Sequence, residues 1–125
     1  MTHSEYWDRI AANADRARRV RERFEPPEDP PDEQRALEFL REGLGPLVAT
    51  YVEARTGGGE QVAFSEVEFT LLQRALNDWL ELYARCYGVT LDAEFTVREA
   101  AELLVETHNV RDVARMLTKV PGRNE

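Results

Sequence analysis

Cysteine occurs once in the 125-residue chain, at Cys86, so no internal disulfide can form and zinc sites built on several thiolates are excluded. Histidine is nearly as scarce. With only His3 and His108, a metal site would have to draw on carboxylates, and no metal or other cofactor is expected. No apolar run approaches the roughly 20 residues that cross a bilayer. The opening Met1-Thr2-His3-Ser4-Glu5 has neither the basic nor the apolar region of a signal peptide, and the expected location is the cytoplasm. There is no GxGxxG, P-loop or GxSxG. The run Gly57-Gly58-Gly59 lacks the lysine and hydroxyl residue of a phosphate cradle, which argues against dinucleotide and nucleoside triphosphate chemistry.

Arginine and acid are present in excess. Lys119 is the only lysine beside 15 arginines, Ile10 is the only isoleucine, and 24 acidic residues give a net charge of -8. A GC-rich genome accounts for the arginine and valine bias. The acid excess points further, to work in molar salt, where a Debye length of about 3 Å screens self-repulsion. In composition the chain resembles the uncharacterised small acidic proteins of halophilic archaea, a likeness that implies no activity.

Hydrophobic periodicity predicts an all-α fold: a single domain of five or six helices, with the N-terminal helix joined by an acidic, proline-rich connector. The expected division is an amphipathic helix over 1–24, the connector over 25–32, a helical core over 33–120 and a tail over 121–125. In the first helix, opened by a Thr2/Glu5 capping box, Tyr6, Ile10, Asn13, Ala17, Val20 and Phe24 recur at steps of four and three along one seam. Residues 25–32 hold four of the six prolines and form a stiff spacer, with Asp29 expected to cap the next helix. That helix should kink or break at Pro46. The clearest start is Ser65-Glu66-Val67-Glu68, a capping box with Phe64 and Phe69 at staple positions. The helix it opens, to about Tyr87, is apolar around more than half its circumference and should be the centre of the core. Residues 89–95 alternate like a short extended stretch. Thr96/Glu99 caps a further helix, and Asn109 caps a last one.

Cys86, His108 and Asp112 are the residue types of a thiol hydrolase, but Cys86 falls on an apolar helix face, where a thiol behaves as a small hydrophobe. Glu99, Glu102 and Glu106 form a row of a kind that binds cations. In so acidic a chain they are expected to be a solvated face, as is Asp78 beside Trp79. His108 falls in a turn, where a hydrogen-bonding role is expected. No catalytic residue is assigned, and the chain is expected not to be an enzyme.

The segment Phe95-Thr96-Val97-Arg98-Glu99-Ala100-Ala101-Glu102-Leu103-Leu104 resembles the opening of excisionase-type helix-turn-helix domains. The family follows the leucine pair with Gly and an apolar residue, where this chain has Val105 and Glu106. The resemblance implies a DNA-binding regulator using residues 95–119, with Arg111 and Arg115 presented to DNA. The leading expectation is instead a non-enzymatic interaction or adaptor protein. A narrow stripe on a semi-detached helix calls for burial against another chain, so Tyr6, Ile10, Ala17, Val20 and Phe24 are expected to meet a protein partner or a second copy in a homodimer. Arg16, Arg18, Arg19, Arg21 and Arg23 spread around the same helix as a halo more than a stripe, and either meet nucleic acid or an acidic partner or pair with Glu22, Glu25, Glu28 and Asp29.

Overall fold

The computed structural model describes residues 4–56 and 63–122. Thr2 and the triple glycine lie outside the described residues. Among these residues there are six α-helical segments, α1 (Trp7–Arg23), α2 (Glu33–Phe39), α3 (Gly45–Thr56), α4 (Glu66–Cys86), α5 (Val97–Thr107) and α6 (Val110–Thr118), and no strand. A π-helical turn over Leu40–Leu44 joins α2 to α3, so the six segments make five rods, and the all-α expectation holds.

The helix α4 is the axis of the fold. Its Ser65/Glu68 capping box forms as the spacing predicts, and Leu72, Leu76, Trp79, Leu80, Leu82, Tyr83 and Cys86 are all fully buried. Each large side chain so buried contributes about 1.5–3 kcal/mol. The staple does not form: Phe64 stacks on Tyr51 of α3, with ring centroids 5.8 Å apart, and Phe69 remains 44% exposed. The stacking partner in α3 lies too far along the chain for local spacing to reveal.

The helix α1 lies along α4. Its seam is satisfied within the chain: Ile10 and Ala17 have no exposed surface, Tyr6 and Ala14 are buried, and Val20 and Phe24 pack at the edge of the core. The expected semi-detached helix is therefore a docked one, and its seam needs no second copy to cover it. Three polar contacts pin it. The Ser4 N–H and hydroxyl donate to the buried carboxylate of Glu68. The Trp79 indole N–H donates to Asn13 Oδ1 at 2.8 Å, while the Asn13 amide donates to the Gly43 carbonyl at 3.0 Å. Arg21 reaches Asp78 at 2.6 Å and Glu81 at 2.8 Å. Asn13 thus fixes a register between helices of one chain.

The α-helical pattern is interrupted just before Pro46, which is the second residue of α3, although the π turn keeps the rod continuous. Pro46 lacks the N–H that would serve the Glu42 carbonyl one turn back. The Arg16 guanidinium supplies a donor there at 3.4 Å, and the wider π turn carries the Gly45 N–H to the Leu40 carbonyl. Gly43 sits in this turn because the Trp79 ring presses on it: a Cβ would lie 2.4 Å from the indole.

The proline-rich connector closes back on the core. Asp32 N–H donates to the Cys86 carbonyl at 2.7 Å, and Phe24 and Phe39 rings meet at 6.0 Å across it. Asp32, not Asp29, caps α2 by accepting from the Arg35 N–H, because the helix starts at Glu33. Residues 89–95 are held by α4 side chains, with the Ala93 N–H donating to Glu81 and the Phe95 N–H to Asn77. The expected caps of α5 and α6 are present: Thr96 with Glu99 forms a box, and Asn109 accepts from the Arg111 and Asp112 N–H groups.

Candidate interaction surface

The arginines of α1 divide by what they touch. Arg9 pairs with Glu53 at 2.6 Å, Arg18 with Asp15 and Glu22, and Arg21 with the buried Asp78 and Glu81. Asp78 is therefore no solvated acid. It and Glu81 are side chains only 8% and 7% exposed, and both pair with one guanidinium, whose pKa is raised chiefly by the hydrogen bond to Asp78. Glu81 also accepts the Ala93 N–H, so this cluster is closed and ties α1 to α4.

Arg16, Arg19 and Arg23 recur at i, i+3 and i+7 and line an open groove with Val20 and with Arg35 of α2, about 380 Å³ in volume. Arg16 pairs with Glu42 at 2.6 Å and Arg19 with Asp15 at 3.0 Å, both pairs about half exposed. Among the described residues neither Arg23 nor Arg35 has a carboxylate partner. The Arg35 guanidinium lies over the Phe24 ring, 4.6 Å from its centroid, and 5.5 Å from that of Phe39. Of the acids expected to pair with the α1 arginines, Glu22 does so with Arg18, outside the groove, and none of them pairs with Arg16, Arg19, Arg23 or Arg35 among the described residues. The connector offers one backbone group, the Glu25 carbonyl, to Arg35 at 3.4 Å. The sequence reading spreads the α1 arginines around the helix and singles out no groove; it also misses Arg35, whose place across the groove follows from Phe24 packing on Phe39.

A second groove, about 580 Å³, runs between α3 and α5 and was not anticipated from the sequence. Val52, Ala101 and Val105 form its floor, with Arg55 and Arg98 facing Glu102 and Glu106 at its rim. Val105 is 53% exposed. On α6, Arg111 approaches Glu33 at 4.0 Å, whereas Arg115 is exposed and lines a shallow depression with Asp112, Met116 and Lys119.

Cys86, His108 and Asp112 do not share a setting. Cys86 is buried beside Asp32, Arg35 and Glu38, and burial pushes its thiol up to about 11. His108 terminates α5 in the left-handed conformation (φ 56°) and borders Ala49 and Leu104. Glu99, Glu102 and Glu106 are exposed. Glu99 serves the α5 cap and Glu102 meets Arg98 at 3.5 Å. Among the described residues no group of His, Cys, Asp and Glu is arranged to hold a metal ion, and no helix is long and apolar enough to cross a membrane.

No curated protein and no solved structure matches the chain. Residues 4–122, which take in all the elements above, match the family described as Domain of unknown function (DUF8055), and the chain belongs to that family.

Proposed function

We propose that the chain is a non-enzymatic protein–protein interaction module whose docking surface is the groove between α1 and α2. The observation that carries this reading is the gathering of Arg16, Arg19, Arg23 and Arg35 around Val20 on a chain of net charge -8, with two of the four guanidiniums lacking a carboxylate partner among the described residues. Arginine over aromatic rings is the composition that dominates binding energy at protein interfaces. The test is purification of the tagged chain from its host in molar salt, as wild type, as Arg19→Glu/Arg23→Glu and as Arg74→Glu, the last an exposed residue of α4 that does not line the groove. A protein retained by the wild type and by the Arg74 variant but lost from the double variant is the expected result. The same set of proteins on all three would overturn the proposal. Light scattering in the same salt identifies the case in which the partner is a second copy.

A second reading, a small DNA-binding regulator using residues 95–119, draws on the exposed Arg115, which has no ion pair among the described residues. Asp112 on the same helix and Glu33 near Arg111 weigh against it, since carboxylates repel phosphate. Titration of random duplex DNA at several salt concentrations decides it. Affinity that falls with salt and weakens in Arg115→Ala supports the reading, and binding without salt dependence ends it.

A further inference from the structure

Resting on the reading of the α1–α2 groove as the docking surface, we infer that the element it takes is a short acidic peptide segment, with carboxylates on either side of an apolar side chain. The cations there are of two kinds. Arg23 has no ion pair among the described residues, and Arg35 lies over the Phe24 and Phe39 rings, 4.6 and 5.5 Å from their centroids, with one long N–H bond to the Glu25 carbonyl and no carboxylate partner. A guanidinium placed against rings keeps N–H groups free for a carboxylate, which it can grip by two parallel hydrogen bonds. Arg16 and Arg19 are engaged, but with Glu42 and Asp15 in half-exposed pairs that contribute little and exchange readily for an incoming carboxylate. Arg21, one turn away, shows the contrast: its two partners are buried and its charge is unavailable.

The apolar requirement comes from Val20, half-buried in the floor between the arginines, beside Phe24 at the core edge. The restriction to peptide comes from size and charge. A groove of about 380 Å³ accommodates a few side chains. Arg16, Arg19 and Arg23 span only about 10 Å along the helix. The carboxylates of Asp15 and Glu42 stand among these cations, so a phosphate chain tracking past the groove meets repulsion that a short segment with its own spacing avoids.

The experiment is fluorescence anisotropy with a labelled Asp-Glu-Leu-Asp-Glu peptide, its amide analogue Asn-Gln-Leu-Asn-Gln, and a short oligothymidylate, at a salt concentration where the chain is folded. The acidic peptide should bind about tenfold or more tighter than the amide analogue, and Arg23→Glu should weaken it about tenfold while Arg74→Glu leaves it unchanged. Amide shifts of Val20, Arg23 and Arg35 on titration should place it in the groove. Equal binding of the amide peptide, tighter binding of the oligothymidylate, or indifference to Arg23→Glu would overturn the inference. If the acidic peptide fails while Arg19→Glu/Arg23→Glu still strips the host partner, the docking surface stands and only the acidic-peptide inference falls. If neither responds, both fall.

Discussion

Replacing Arg21 by Met isolates the bond between α1 and the axis of the fold. The substitution keeps the aliphatic stem that lies along the protein and removes the charge that serves Asp78 and Glu81 at 2.6 and 2.8 Å. Two side chains less than a tenth exposed are then left as adjacent carboxylates. Removing one partner of a fully buried ion pair costs about 3–5 kcal/mol. Arg21 itself is 42% exposed, so water screens part of the interaction and the expected loss is smaller, about 2–3 kcal/mol. In a domain of this size that lowers the melting temperature by roughly 10 °C. Urea unfolding followed by circular dichroism measures it as a drop in midpoint at constant slope. The triple change Arg21→Met/Asp78→Asn/Glu81→Gln, which removes the charges together, should recover most of the loss. Molar salt should diminish the Arg21→Met effect only slightly, because ions do not reach a buried pair well. A loss below about 0.5 kcal/mol, or a triple variant no better than the single, would refute the reasoning.

Gly43→Ala should destabilise by about 2–3 kcal/mol, since the new methyl meets the Trp79 ring at 2.4 Å; urea midpoints check this, and a neutral result would show that the indole can move. Glu68→Gln tests pH linkage. Burial alone would raise the Glu68 carboxyl, but hydrogen bonds from Ser4 and Ser65 outweigh it and hold it below the usual range. Its contribution should therefore be complete above the ordinary glutamate value and vanish as pH falls through the lower folded value; stability measured between about pH 3 and 7 should slope less in the variant than in the wild type. The Cys86 thiol, pushed up to about 11, should resist a disulfide reagent at pH 8 in the folded chain and react at once in denaturant. Fast labelling of the native protein would contradict its burial.

The helices were legible in the sequence where the signal is local. Ser65 with Glu68, Thr96 with Glu99 and Asn109 each announce a start that the chain uses, and the apolar circumference of α4 identifies the axis. The seam of α1 was legible as a seam, but its cover was not, because the stripe says only that burial is needed. Pro46 was legible as an interruption, but not the form it takes: a π turn in place of a gap, with the Glu42 carbonyl served by Arg16, 26 positions away. Asp78 looked like one more acid among 24, since its cation lies 57 positions away. The groove was not legible: the arginines of α1 read as a halo around the helix, and Arg35 joins Arg16, Arg19 and Arg23 only through the packing of Phe24 on Phe39.

The contacts of Ser4 with Glu68, Asn13 with Trp79 and Arg21 with Glu81 advance together along both helices. Sliding α1 by one turn, about 5.4 Å, would strand all three at once. The pair therefore acts as a ruler rather than a sliding joint. Whatever rests on the outer surface of α1 is held at a set distance from the rest of the molecule.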